Sequence, residues 1–348
     1  MEPVVFANVE EYLAGGGQAN AELMRPYLNK AGRIVVALNG REVPYVRQNA
    51  STVLRQYEWE QIDATVLRTV QAPNTAVADF AAYGLAYPLE GGIGTLLSGY
   101  TQLGDMSDAD ISMDGVTKGN EDRVDFNDTY IPVPFIHKDF TLSSRVLQAS
   151  RNSGQSLDTT QIAEATRLVN KSVEYMIFNG STKKLKGYSI YGLLNAPNAT
   201  SKTAADWGGG DFGTPGNGYK TLAAMLASLS AKGFRGPYGV YVSATQYGEL
   251  LNLISTTSGK SELQVILEGL PDIKFIRPQP TTNVADGKVV MFQLSRDVID
   301  MPIAQNVTPV EWSIMGPFLT KYRVLACLTV RPKTDANAVT GINIATSA

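Results

Sequence analysis

A single cysteine, Cys327, and a single histidine, His137, leave this 348-residue chain short of the side chains from which most catalytic and metal centres are built. One thiol excludes an internal disulfide framework and fits a reducing compartment. One thiol with one imidazole makes none of the usual zinc or Cys-His sites unless several carboxylates join them. Charge is sparse as well. Charged residues are 18 % of the chain against 44 % hydrophobic ones, so part of the surface is expected to be covered by partners instead of water. A formal net charge of -3 argues against a nucleic-acid binder working through a general basic field. No apolar run approaches the roughly 18–20 residues of a membrane span. The opening MEPVVFANVEEY lacks the basic and apolar blocks of a secretory signal, so synthesis in the cytosol and no membrane association are expected.

What is present centres on residues 158–180, DTTQIAEATRLVNKSVEYMIFNG. Ile162, Ala165, Val169, Val173, Met176 and Ile177 recur at threes and fours, the period of one helical face. Asp158 can cap the first turn, with Gln161 three residues on completing a capping box. Asn179-Gly180 supplies the residue types that most readily close a helix in the left-handed conformation. At about 1.5 Å per residue such a helix is roughly 30 Å long. It holds no cluster of catalytic residue types and reads as a packing element.

Around it, a chain of this length can form two or three compact units. Residues 1–50 suggest two short helices, the second near Ala19–Lys30, then a strand, an Asn-Gly turn and a strand over Arg33–Val46. Leu54–Gln71 is an amphipathic helix, with Leu54, Trp59, Ile62, Val66 and Val70 near one face, and Pro73 ends it. Residues 91–136 turn extended. Ile131, Val133, Phe135 and His137 alternate with Pro132, Pro134 and Ile136, and prolines so placed demote a strand to an edge or an excursion. Between its halves, residues 105–125 carry seven acids against Lys118 and Arg123, the pattern of a long two-stranded excursion with a solvated tip. After the long helix come a basic turn with Lys183, Lys184 and Lys186 and a strand-like segment. Residues 204–218 are glycine-rich loop. From Tyr219 helices and strands alternate as in an α/β unit, including a helix through Tyr247, Leu250, Leu251 and Ile254, and long β segments close the chain.

The sharper motifs give way to blander readings. Ser258-Gly259-Lys260-Ser261 matches the tail of a phosphate-binding loop, but Ile254 stands where its first glycine belongs, and helix precedes it instead of strand. Gly208, Gly210 and Gly213 satisfy G-x-G-x-x-G without the strand and helix that the dinucleotide site needs, so a flexible loop is expected. The embedded Asp211-Phe212-Gly213 has no partner kinase elements. His137 reads as a half-buried structural histidine and Cys327 as a small core residue. The acids of 105–125 lack calcium-loop order. No catalytic residues, cofactor or metal are expected.

One resemblance spans most of the chain. IPVPFIHKDFTLSSRVLQASRNSGQSLDTTQIAEATRLVNKSVEYMIFNGS, followed by YSIYGLLNAPNA, resembles the centre of Hong Kong 97-fold capsid proteins. PYGVYVSATQYGELL, the Leu-Pro-Asp-Ile phrase at 270–273, VIDMPIAQNVTPVEW and YRVLACLTVRPKTDANAV continue the likeness over roughly residues 54–340. It is similar both to tailed-phage major capsid proteins and to encapsulin-like shell proteins.

The resemblance implies an α+β fold of the Hong Kong 97 type. On this chain it places an N-terminal arm and first helices at 1–90 and an extension loop at 91–136. A peripheral domain follows at 137–205 with its spine helix at 158–180, then an axial domain at 206–296. Segments 297–348 are expected to return to the peripheral domain. The function implied is a non-catalytic major capsid protein that assembles with itself, as hexamers and pentamers, into the head of a tailed double-stranded DNA phage. Portal, scaffold and decoration proteins are the further partners implied, the DNA being enclosed without sequence-specific binding, in a virion built in the host cytoplasm. The alternatives are an encapsulin-type compartment around a cargo enzyme and, less well supported, a soluble α/β enzyme. In such folds the extension loop reaches over a neighbouring subunit. An assembly contact is therefore expected between Asp105, Asp108 and Asp110 of one copy and Lys183, Lys184 and Lys186 of the next.

Overall fold

A computed structural model describes residues 27–30, 34–38, 41–44, 54, 56–71, 75–104, scattered positions from 106 to 124, 126–145, 159–254, 259–315, 319–335 and 337–347. The chain opens with a small antiparallel sheet of β1 (Tyr27–Leu28), β2 (Ile34–Leu38) and β3 (Arg41–Pro44). Leu38 pairs with Arg41, the register of a two-residue Asn-Gly hairpin turn. The helix expected near Ala19–Lys30 is corrected at its end, where Tyr27 and Leu28 pair with β2 as strand.

Two helices follow, α1 (Gln56–Gln71) and α2 (Thr75–Ala82); Pro73, expected to end the first, lies outside the described residues. Leu54, Trp59, Ile62 and Val66 are buried, as their helical spacing requires; the Val70 side chain lies outside the described residues. After β4 (Ala86–Pro88) the chain runs out and back as β5 (Leu97–Leu103) and β6 (Phe126–Pro132), a two-stranded antiparallel sheet. β7 (Phe135–Ser143) then enters a different sheet. The expected alternation stops at that crossing: Ile131 and Val133 are buried, whereas Phe135 and His137 are exposed. Pro134 sits between the two strands without an N–H to donate.

The long helix α3 spans Thr160–Asn179, and its whole expected stripe is buried: Ile162, Ala165, Val169, Val173, Met176 and Ile177. It packs on α1, β7 and β15 (Leu319–Leu328). Asp158 lies outside the described residues. Thr159 occupies the capping position and makes no side-chain cap bond, which corrects the expected capping box. The helix ends at Gly180 (φ +64°), whose N–H donates to the Met176 carbonyl. Beyond it β8 (Ser181–Leu185) and β9 (Tyr188–Ile190) form a tight hairpin through Lys186 and Gly187, both at positive φ.

The remaining strands build two sheets. β14 (Ile299–Met315), β15, β16 (Arg331–Pro332) and β7 lie in the order β16-β14-β15-β7, with β4 added parallel to β14. Register shifts interrupt the long pairing of β14 with β15 three times, each a place where a strand of this length bends. The second sheet has the order β10-β17-β13-β11-β12, made of β10 (Thr200–Thr203), β11 (Tyr238–Ser243), β12 (Ile273–Gln279), β13 (Lys288–Gln293) and β17 (Ile342–Thr346). Here β17 lies between β10 and β13, with Ile342 and Ile344 in the same core as the buried stripe of α3.

Helices α4 (Asn217–Ala231), α5 (Ala244–Leu250) and α6 (Glu262–Gly269) cover one face of the second sheet. α5 is shorter than expected: it stops at Leu250 and leaves Leu251 exposed. Alternate residues of the sheet serve two cores. Val240, Val242, Val289 and Met291 pack with α4, α5 and α6; Tyr241, Val290, Phe292, Ile342 and Ile344 pack toward α2 and α3. Burial on both faces is why β11 reads as YGVYVS, without polar alternation until its last residue.

Candidate functional site

Four of the six residues that the sequence marks for assembly are among the described residues. Lys183, Lys184 and Lys186 are exposed on the β8–β9 hairpin. Asp108 is exposed beyond the end of β5, while Asp105 and Asp110 lie outside the described residues. The structure therefore does not bring the two sets together within one chain's described residues. It does show that β6 lies along β9 in the same chain, where Tyr130 and Tyr188 meet edge to face at 5.7 Å.

The long hairpin also carries apolar groups that one chain leaves uncovered. Phe126 is 71 % exposed and Ile111 98 % exposed, and Met106 and Met113 are likewise open. Leu96 is exposed at its root. Scattered exposed apolar residues are ordinary, but a group of them on one projecting element marks a contact surface.

Near the C-terminal end of α3 a cleft of about 430 Å³ is lined by Phe135, Tyr175, Met176 and Lys183 among others. The phrase Asn179-Gly180 and the later Gly-Leu-Leu-Asn close one structure here. A Cβ on Gly192 would lie 2.6 Å from the Phe178 carbonyl, so the two segments cross at backbone contact. Asn195 locks the crossing: its Oδ1 accepts from the Gly192 N–H at 2.5 Å, and its Nδ2 donates to the Asn179 carbonyl at 2.9 Å.

The chemical candidates are placed elsewhere. His137 is 45 % exposed on β7 and lies 3.8 Å from Asp139, whose carboxyl is held below its ordinary range by hydrogen bonds from Arg323. Cys327 is buried, and burial pushes its thiol up to about 11. Lys260 pairs with Glu268 at 2.5 Å and Ser261 caps α6, so the phosphate-loop tail serves a helix start.

The glycine loop is packed, which corrects the expectation of flexibility: Trp207 and Phe212 are buried, and the Trp207 Nε1–H donates to the Ile344 carbonyl at 3.2 Å. The buried Glu262 carboxylate accepts from the Gly216 and Tyr219 N–H groups at 3.0 and 2.8 Å. The helix start that would face a pyrophosphate in a dinucleotide site is thus already occupied by an anion. Among the described residues no group of three or more His, Cys, Asp or Glu could hold a metal ion, and no helix is long and apolar enough to cross a membrane.

Residues 49–313 match the family described as a family of unknown function, DUF6260. The chain belongs to that family. This DUF6260 chain is 27 % identical over 220 residues to the type 1 encapsulin shell protein EncA of Myxococcus xanthus, covering 63 % of this chain and 70 % of the relative. It is 28 % identical over 157 residues to the diheme-cytochrome-encapsulin shell fusion protein of Kuenenia stuttgartiensis, covering 45 % of this chain and 40 % of that one.

Among solved structures it is similar to the virus-like particle of Pyrococcus furiosus, with a TM-score of 0.58 at 18 % identity over 83 % of this chain and 99 % of the other. It is also similar to the capsid of Myoviridae phage XM1, with a TM-score of 0.57 at 17 % identity over 77 % and 91 %. The fold is therefore the Hong Kong 97-like capsid fold, α+β with a spine helix, here α3, and an extension loop, here the β5–β6 hairpin.

Sequence reasoning missed the polar residues that join these parts. Glu174, on the buried stripe of α3, accepts from the Ala76 N–H at 3.0 Å. Arg331 and Asp300 form a buried ion pair at 2.5 Å. Their only local signal is a charged residue inside an otherwise apolar periodic stretch.

Proposed function

We propose that this protein is a structural shell protein, copies of which close into a hollow particle. The observation that carries the reading is the projecting hairpin: two strands without a core of their own, bearing exposed Phe126, Met106, Ile111 and Met113 on a capsid-type fold. A lone hairpin is marginal in water, and closed shells repeat one contact between identical copies. Purified protein should sediment as capsomers or closed shells and show particles by electron microscopy. A sharp monomer at micromolar concentration across varied salt and pH would refute the reading.

Within it, the finer proposal is a major capsid protein of a tailed phage or prophage, arranged as hexamers and pentamers around a DNA genome and working with portal and scaffold or decoration proteins. A small negative net charge suits a shell that does not condense nucleic acid by its own charge. The identity with EncA over 220 residues favours a second reading, an encapsulin compartment around a protein cargo. Particles taken from the native cell separate the two: nuclease-protected DNA supports the first, and a co-purifying enzyme without DNA supports the second.

The proposed residue boundaries are those given above, with β17 assigned to the axial sheet. The acidic tip with Asp105, Asp108 and Asp110 is proposed to face Lys183, Lys184 and Lys186 of a neighbouring copy. Each exposed pair contributes only about 0–1 kcal/mol, so the effect depends on repetition. Changing the three lysines to glutamate should weaken particles most at low salt. Changing the three aspartates to lysine in that background should partly restore them; no restoration would defeat the pairing.

A further inference from the structure

The hairpin that projects from the body has a root with one unusual residue beneath it. Arg331 is buried on β16, yet its guanidinium bonds to three other strands. Its Nε donates to Asp300 Oδ1 at 2.7 Å and its Nη2 to Asp300 Oδ2 at 2.5 Å, an ion pair between β16 and β14. The same Nη2 donates to the Tyr87 hydroxyl on β4. Its Nη1 donates to Ser98 Oγ at 3.0 Å and to the Gly99 carbonyl at 2.5 Å, both on β5. Only a planar group with five donors can serve all these acceptors at once.

Other contacts extend the brace outward. Gln102 Nε2 donates to Thr334 Oγ1 at 2.7 Å, and Asn127 Nδ2 on the opposite strand donates to Gln102 Oε1 at 3.0 Å. On the far side Gly99 leaves room for the Tyr130 ring, which would lie 2.8 Å from a Cβ there, and Tyr130 leans on Tyr188. The root is therefore held from two directions, by Arg331 through β5 and by Tyr188 through β6.

We infer that Arg331 is a positioning residue for assembly: it sets the direction in which the β5–β6 hairpin leaves the body, and through it the geometry of contact between copies. A two-stranded ribbon does not fix its own direction, because it has no packed face to resist bending. Whatever holds its first residues therefore determines where its tip arrives, and a small rotation at Ser98 is amplified along the strand. A buried arginine is costly unless fully paired, and here two of its five hydrogen bonds join the hairpin strand β5 to the sheet. The consequence for assembly rests on the shell reading; the effect on hairpin direction does not.

The test uses the full chain in two variants. Arg331→Met removes the hub. Ser98→Ala with Gln102→Ala removes only hairpin-side bonds and leaves the Arg331–Asp300 pair intact, so it remains informative if the first variant fails to fold. Spin labels on Asp128→Cys at the hairpin and Lys171→Cys on α3 report hairpin direction by their distance distribution, and electron microscopy of the unlabelled proteins reports particle diameter.

The inference expects a narrow distance distribution in the parent and a broadened or shifted one in the variants, at unchanged circular dichroism. It also expects particles of mixed diameter, or open sheets, in place of the parent's particles. Unchanged distances in the Ser98/Gln102 variant, or parent-sized uniform particles from it, would overturn the inference. Should the parent form no particles at all, the shell reading fails and the distance measurement alone decides the role of Arg331.

Discussion

Replacing Glu174 by Gln should abolish most of the loss of stability that the protein undergoes as pH rises from 4.5 to about 7. Glu174 is 4 % exposed on the stripe of α3. Burial raises its carboxyl to about 7, against the opposing pull of the Ala76 and Val77 N–H groups at the start of α2, and nearby Asp79 raises it further. A folded-state value above the unfolded one means that the folded protein holds a proton the unfolded chain has released. Stability is therefore complete below 4.5 and declines until Glu174 is ionised in both states, above about 7. At about 1.4 kcal/mol per pH unit of displacement, the loss is about 3 kcal/mol.

Gln resembles the protonated carboxyl in shape and can still accept the Ala76 N–H, so Glu174→Gln should match the parent near pH 4.5 and exceed it by about 3 kcal/mol at pH 8. Urea denaturation at intervals between these limits measures the difference, with sedimentation at each pH to hold the oligomeric form constant. Asp79 is also pushed up by burial and keeps its ion pair to Arg277 at 2.9 Å in the variant, so the comparison reports Glu174 together with its repulsion from Asp79. A parent whose stability is flat across the window, or a variant less stable than the parent at pH 8, would refute the reasoning. It would mean that the N-terminus of α2 holds the carboxylate charged despite its burial.

Three further outcomes can be checked on the same protein. Val173→Asp puts a carboxylate on a buried face where the valine itself contributes about 1.5–3 kcal/mol, and should abolish cooperative melting; wild-type melting would mean that this face is not core. Gly180→Ala should leave little soluble protein, because its Cβ would overlap the Ile190 carbonyl at positive φ, whereas Gly187→Ala, with open space around it, should cost only the left-handed penalty of about 1–2 kcal/mol; equal melting temperatures would contradict the crossing at Gly180. Cys327, buried with its thiol raised to about 11, should resist iodoacetamide at pH 8 until urea unfolds the chain; rapid labelling of the native protein would place it at the surface.

The sequence was most legible where the physics is local. Helical spacing announced α3 and its stripe because each apolar residue lies within one turn of the next, and the structure buries all six. The Asn-Gly hairpin of β2 and β3 and the long excursion of β5 and β6 were readable from turn chemistry and from closely spaced prolines that disfavour an inner strand. Legibility failed where a local pattern met a tertiary demand. Leu251 keeps helical spacing with Tyr247, yet α5 ends before it and the residue is exposed. Glycine content made residues 204–218 look like flexible loop, while Trp207, Phe212 and the Glu262 carboxylate pin the segment in place.

The candidate surface divides in the same way, and the division has a physical cause. Exposed charge runs such as Lys183, Lys184 and Lys186 are visible because solvated segments keep their composition together in sequence. The groups that join one part of the fold to another are each isolated. Arg331 meets Ser98 across 233 positions, Glu174 meets Ala76 across 98, and Tyr241 meets Asp79 across 162. No periodicity links such partners, since each contact forms only after both elements are in place. What a sequence does leave is a misfit: a glutamate on an apolar stripe, or an arginine beside a buried strand end. In α3 the cost of burying Glu174 is offset by N–H groups of a helix start that would otherwise be unpaired. The misfit is thus the trace of a long-range junction, and in this chain both such traces lie where the spine helix and the projecting hairpin meet the rest of the molecule.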